Sequence, residues 1–402
     1  MMDIEHLRSL DAADPLARFR DAFTLPEGVT YLAGNSLGAL PKAAPARIAA
    51  AVRHEWGSSL VQAWIAHDWI GAPARVGDKI ARLIGAGPGE VIVADSTSVD
   101  LFKLIAAALT AAPERKTVIG VRGEFPTDVY VAEGAIDLAG GGRRLKLVER
   151  GVVLEALDED VALLVLTHGH YKSAELFDMA AVTARAHAVG ALVLWDLSHS
   201  VGVAEVDLNG AGADLAVGCG YKYLNGGPGA PAFLFVAARH QDRLSSPLTG
   251  WMGHQRPFDF ADDYVPARGI GRFLCGTPPI LSLTALEVGV DLMLQADPAA
   301  MAAKARRLGD VFLELVARDC PQLVPICPGP GQMRGGHVAF RHPDGEALSR
   351  ALIARGVVGD FRGPDILRFG LSPLYVSFED VGRAVGVLKA VLAEQSWRRI
   401  PW

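Results

Sequence analysis

The lysine in GYKYLNGGPG (220–229), Lys222, follows an apolar run and offers an amine able to condense with an aldehyde. One crossover earlier, the run ALVLWD (191–196) ends in Asp196, and His199 follows it. A carboxylate in that place can hold a proton on an aromatic nitrogen. Ser96, Thr97 and Ser98 open a helical pattern after EVIVAD (90–95), and hydroxyls and backbone N–H groups at a helix start bind phosphate. The run TVIGVR (117–122) leads into GEFPTD, which supplies Phe125, Thr127 and Asp128, and ALLVLT (162–167) ends at Thr167. Taken singly, such residues are ordinary: a lysine after a strand is most often surface decoration, an aspartate there a turn former, and STS a plain helix cap.

Their coincidence in this order fits the demands of pyridoxal phosphate. That cofactor needs a lysine for a Schiff base and a carboxylate facing the pyridine nitrogen, because the charged ring is the electron sink. It also needs a phosphate cradle and an aromatic plate. Lys222, Asp196, Thr97 with Ser98, and Phe125 meet those needs, and His199 is placed to pack on the other ring face or bond the ring oxygen.

The elements that must position these groups are short strands alternating with helices. Besides the four runs above, DLAVGC (214–219) and APAFLFV (230–236) read as strands, and AAVTARAHAVG as a helix ending at Gly190. Strands apolar throughout and spaced by helices indicate a parallel sheet covered on both faces, whose ligands bind beyond the carboxyl ends of the strands. After about residue 280 the texture changes. LSLTALEVGVDLMLQA and MAAKARRLGDVFLELVARD read as long helices, HVAFRH (337–342) and ILRFGLSP (366–373) as strands, and VGRAVGVLKAVLAEQ as a last helix. The expected organisation is an N-terminal segment, 1–45, packing with a small domain, then a large α/β domain over 46–280 and a small α+β domain over 281–402.

Composition narrows the class. The 402 residues carry 39 Lys and Arg against 45 Asp and Glu, a net charge of −6 with no basic block, which speaks against nucleic acid as the main partner. No apolar run approaches a membrane span, and the N-terminus lacks the apolar core of a signal peptide. The four cysteines, Cys219, Cys275, Cys320 and Cys327, form no CxxC pair, so a reduced, cytoplasmic protein without a metal site is expected.

Beyond these readings, YLAGNSLGALP (31–41), DSTSVDLF, GEFPTD, WDLSHSVG (195–202), GYKYLNGGPG, GWMGH (250–254) and FLCGTPPI (273–280) together resemble the bacterial kynureninases. That family has the type I fold of pyridoxal-phosphate-dependent transferases and belongs to the class V aminotransferase superfamily. The resemblance runs from about residue 30 to RFGLSPLY (368–375). It implies a large, mostly parallel seven-stranded sheet with helices on both faces and a smaller α+β domain. It implies hydrolysis of a carbon–carbon bond in L-kynurenine, giving anthranilate and L-alanine, within tryptophan catabolism or NAD precursor synthesis, with the 3-hydroxy form as a second substrate. It implies a homodimer with shared active sites.

Residue by residue, the resemblance makes Lys222 the cofactor lysine, Asp196 the partner of the ring nitrogen and Tyr221 a proton relay. It places Thr97, Ser98, Tyr221, Trp251 and Thr277 around the phosphate and Phe125 on the ring, with Thr127, Asp128, Thr167 and His199 completing the cofactor shell. Arg368 binds the substrate carboxylate, and Asn35 and Ser36 of GNSLG face the substrate. The segment 59–79, with Trp64, His67 and Trp69, lies where the family builds part of the aryl-substrate pocket but matches less clearly; helix packing is the plainer account of its aromatics.

Other readings compete. A cysteine desulfurase, or another class V aminotransferase-like enzyme, would use Cys320 or Cys327 in a small-domain loop. A zinc hydrolase would use His168, His170 and His199, but a third ligand with sensible spacing is missing. A regulator that had lost the cofactor would have no use for Lys222, Asp196 and Arg368.

Overall fold

The computed structural model describes residues 4–399. Seven strands form the main sheet: β1 (Val91–Ala94), β2 (Thr117–Val121), β3 (Arg144–Val148), β4 (Val161–Thr167), β5 (Leu192–Asp196), β6 (Leu215–Cys219) and β7 (Ala232–Val236). Their spatial order is β1-β7-β6-β5-β4-β2-β3. Only β7 runs against its neighbours, pairing antiparallel with both β1 and β6, so the other six strands share one direction and one carboxyl edge.

Alternation along the apolar runs explains why both faces are covered. Val91, Val93, Ile119, Leu164, Val193 and Trp195 join one buried cluster, and Ile92, Val118, Leu163, Val165 and Leu194 the other. Helices α1 (Thr97–Ala111) and α2 (Pro126–Ala139) close the second face through Leu101, Leu104, Ile105 and Ala135. Helices α3 (Met179–Ala188) and α4 (Ile280–Met293) close the first through Val182, Ala186, Leu283 and Leu286. Strand β3 escaped the sequence reading. It is a half-exposed edge strand, and its RLKLV pattern alternates where the other six runs are continuous.

A smaller antiparallel sheet pairs His337–Arg341 with Ile366–Gly370, flanked by Val324–Pro325 and Asp360–Arg362. Helices α5 (Pro298–Asp319), α6 (Gly345–Ala354) and α7 (Phe378–Glu394) belong to the same region. Phe312 of α5 stacks 4.9 Å from Phe369, centroid to centroid.

The N-terminal segment connects this region to the large sheet. Thr30–Tyr31 pairs in parallel with Val357–Val358, and Lys304 of α5 meets Asp14 at 2.6 Å. Further on, the Gly38 N–H donates to the Tyr221 carbonyl at 2.8 Å, and a Cβ at Gly38 would meet the Lys222 carbonyl at 2.3 Å. Glycine is therefore required where the GNSLG turn presses on the lysine loop. Among the described residues no helix is long and apolar enough to cross a membrane.

Candidate active site

The shared carboxyl edge gathers most of the chemistry. Asp196 closes β5, cross-strand from Thr167 at the end of β4, and Lys222 follows β6 next door. Lys222 Nζ lies 3.0 Å from His199 Nε2 and 5.8 Å from the centroids of both Phe125 and Tyr221. Asp196 is buried and accepts the Ser198 N–H at 2.7 Å; burial raises its carboxyl pKa while the Lys222 charge pulls it down.

The charges around the rim constrain its protons. Burial first, then the nearby Lys222 and Arg368 charges, push His199 well below the ordinary imidazole range, so the ring is neutral. With Nε2 accepting from the Lys222 ammonium, the ring proton sits on Nδ1, a buried donor with no partner within the protein. Asp128, in the first turn of α2, accepts the Thr167 hydroxyl at 3.1 Å through Oδ2, while its Oδ1 has no partner. Burial and the Asp196 charge hold Asp128 well above the usual carboxylate range. Burial pushes the Tyr221 phenol up to about 12, so it keeps its proton at neutral pH.

The small sheet supplies the other wall. Arg368 is buried, and its Nε donates to Asp360 Oδ1 at 2.7 Å and its Nη2 to Asp360 Oδ2 at 2.5 Å. Asp360 is its cross-strand partner, and Nη1 donates to the Tyr171 carbonyl. Ser36 Oγ bonds Asp360 and lies 3.0 Å from Arg362 Nη2 and 3.4 Å from Arg368 Nη2. Asn35 is wholly buried with both amide atoms unpartnered, against Gly370, where a Cβ would meet its Oδ1 at 2.3 Å.

Other residues singled out from the sequence sit nearby on their own turns. Ser96 caps α1, accepting the Val99 N–H, so Thr97 and Ser98 occupy the first helical positions. Thr127 lies half-buried in the first turn of α2. Trp251 and Thr277 are exposed, on segments joined by the Met252 N–H to Cys275 carbonyl bond at 3.2 Å. In the 59–79 segment Trp64 and Trp69 pack edge to face, Trp69 Nε1 donates to Glu55 at 2.8 Å, and His67 Nε2 lies 3.0 Å from the Ser59 hydroxyl.

Four participants had no sequence signal strong enough to single them out. Asp360 holds Arg368; Tyr171 lends its carbonyl to Arg368 and its ring edge to Phe125 at 5.4 Å; His337 packs 5.8 Å from His199. Glu124 pairs with Arg150 at 2.8 Å beneath Thr167 and Asp196, and burial pushes its carboxyl up to about 7. Only Tyr171 and Glu124 could have been found, since both adjoin strand ends already read as part of the rim.

The competing chemistries find less support. His170 is tied to the Ser173 hydroxyl and the Gly123 carbonyl, and His168 packs on Trp195, so they do not converge with His199. Among the described residues no group of three or more His, Cys, Asp or Glu side chains is placed to hold a metal ion. Burial pushes the Cys320 thiol up to about 11 and raises that of Cys327, whereas a nucleophilic cysteine needs a lowered value.

Residues 301–388 match the family model described as the kynureninase C-terminal domain. Across 396 residues the chain is 48% identical to a kynureninase of Pseudomonas fluorescens, covering 97% of this chain and 95% of that one. This chain belongs to the kynureninase family. The kynureninase resemblance drawn from the motifs is thereby borne out. The fold expectation holds as well. A C-DES variant with glycine covalently linked to its PLP cofactor superposes with a TM-score of 0.81 at 15% identity, over 92% of this chain and 98% of that one. The cysteine desulfurase CsdA from Escherichia coli gives 0.78 at 16% identity, over 94% and 98%. A kynureninase-family sequence thus shares the architecture of desulfurases with little sequence in common.

Proposed function

We propose that this protein hydrolyses L-kynurenine to anthranilate and L-alanine with pyridoxal 5'-phosphate held at Lys222. The observation that carries the reading is the Lys222–His199–Asp196 cluster at one sheet edge, in a chain nearly half identical to a kynureninase over almost its full length. The rim fits the cofactor. The unpartnered Nδ1 proton of His199 suits a ring oxygen, and the buried Asp196 carboxylate, held by one N–H, suits a protonated ring nitrogen. Thr97 and Ser98 at the start of α1 suit the phosphate, with Trp251 and Thr277 from a neighbouring subunit, and Phe125 and Thr127 line the ring side.

Bound cofactor supplies an aldehyde for the amine and a charged ring that takes up the electrons released at the substrate Cα. The chain's own residues do the rest. Arg368 receives the α-carboxylate, with its guanidinium plane fixed by Asp360 and with Asn35 and Ser36 beside it. The amine of Lys222 takes the Cα proton and returns it. Asp196 keeps the ring nitrogen protonated. Tyr221, which holds its phenolic proton, delivers it to the γ-carbonyl oxygen as water adds its hydroxyl to Cγ. The water's remaining proton restores the phenol, and as the Cβ–Cγ bond breaks a proton from the hydrated carbonyl passes to Cβ, leaving the carboxyl group of anthranilate. Asp128 and Thr167 brace this shell through their mutual hydrogen bond.

We infer a cytoplasmic homodimer with shared sites and the domain division at about residues 45 and 280. Trp56, Leu60, Val61 and Ile65 are exposed within one short stretch, Ile65 at 84%, and such a patch needs a cover. A direct test gives the purified protein L-kynurenine, 3-hydroxykynurenine and L-cysteine in parallel. Equimolar anthranilate and alanine from kynurenine support the reading. Alanine released only from cysteine would replace it with a desulfurase.

A further inference from the structure

Lys103 lies on α1 two turns below Thr97 and Ser98, and its side chain is completely buried. Helical side chains lean toward the N-terminus, so its ammonium reaches back beneath the first turn. There Nζ bonds the Asp95 carboxylate, donates to the Phe273 carbonyl at 2.7 Å and stands 3.6 Å from Asp100 Oδ1. Asp95 adopts φ +41° as the chain leaves β1 for the Ser96 cap. Cys275 Sγ lies 3.8 Å from Asp95 Oδ2, and the Cys275 carbonyl accepts the Met252 N–H. Three segments, 95–98, 250–253 and 273–277, are therefore tied together around one buried amine.

An ammonium taken out of water costs several kcal/mol unless paired. Asp95 pairs it. Asp100 is also wholly buried, and neither of its carboxyl oxygens has a hydrogen-bond partner. Burial holds that acid well above the usual carboxylate range, against the pull of the Lys103 charge. Asp95 is thus the hydrogen-bonded counter-charge of the ammonium beneath the turn. Without the ammonium, the Asp95 carboxylate would stand alone under the turn, repelling an anion bound there, and the Phe273 carbonyl would lose its donor.

We propose that Lys103 is a positioning residue for the cofactor phosphate: it anchors the 95–98 turn through Asp95 and cancels the Asp95 charge, so that a dianion is accepted at Thr97 and Ser98, while the 273–277 segment it also holds is presented to the neighbouring subunit. The inference rests on the reading that Thr97 and Ser98 receive the phosphate.

The test is reconstitution of the full chain, after removal of its cofactor, with pyridoxal 5'-phosphate and with pyridoxal, which lacks the phosphate. The readout is the dissociation constant, followed by absorbance. Lys103→Met should weaken pyridoxal phosphate by about tenfold or more while leaving pyridoxal within about twofold, and Lys103→Arg should recover most of the loss. An unchanged affinity for pyridoxal phosphate, or an equal loss for both compounds, overturns the proposal. Should Lys103→Met fail to fold, Asp95→Asn decides: it leaves the ammonium without its counter-charge beneath the turn and should tighten pyridoxal phosphate severalfold with pyridoxal unchanged, so unchanged or weaker binding of pyridoxal phosphate would overturn the proposal. If the wild-type protein binds both compounds equally, the placement of the phosphate itself fails, independently of Lys103.

Discussion

Lys222 Nζ stands 3.0 Å from His199 Nε2, and the neutral imidazole leaves its one ring proton on the far nitrogen, buried and unclaimed by the protein. An amine and a free donor so placed present two complementary handles to one ligand, an aldehyde carbon for the first and an oxygen acceptor for the second. Asp196, on the neighbouring strand, adds a buried carboxylate.

Lys222→Ala should remove the visible absorption of the purified protein and abolish turnover, because among the described residues no other amine approaches the Phe125 ring in this way. A variant that keeps the band would move the cofactor lysine elsewhere.

Asp196→Ala should cut kcat by at least about a hundredfold, since a neutral ring is a poor electron sink. The Asp196 side chain bonds Ser198, two residues along the same turn, and ties no other element, so folding should survive. Near-normal turnover with the cofactor bound would refute the role of the acid.

Arg368→Lys should raise KM for kynurenine by about tenfold or more and change kcat less. A lysine cannot keep the two-pronged bond to Asp360 and still face a carboxylate. Unchanged kinetics would show that Arg362, 3.0 Å from the Ser36 hydroxyl, holds the substrate instead.

Glu124 gives a pH prediction. Burial raises its folded pKa from 4.5 to about 7, so the stability it confers is present at low pH and is lost as pH rises through that window. Glu124→Gln carries no such titration. Its Tm relative to wild type should rise between about pH 5 and pH 8 and then level off. A difference flat with pH would show that Arg150 keeps the carboxylate charged throughout.

Much of this was legible before any coordinates. Six of the seven strands, the edge strand β1 among them, are written as apolar runs because both their faces are buried, and the carboxyl ends carry Thr167, Asp196 and Lys222 in plain view. The strand β3 was not legible because it is half exposed and its apolar residues are interrupted by Arg144 and Lys146. Nor was Asp360, which reaches Arg368 only through the antiparallel pairing of two short strands, a register no local pattern announces. Lys103 was passed over for a related reason. In sequence it is one polar residue on an apolar helix, and only the crossing of Asp95 and Phe273 shows it to be buried and paired.

The most direct measurement is peptide mass spectrometry after borohydride reduction of the purified protein, which fixes a lysine-bound aldehyde in place. The account predicts a single pyridoxyl-phosphate adduct on the peptide that contains Lys222. An adduct on another lysine, or none in a protein that still cleaves kynurenine, would contradict it.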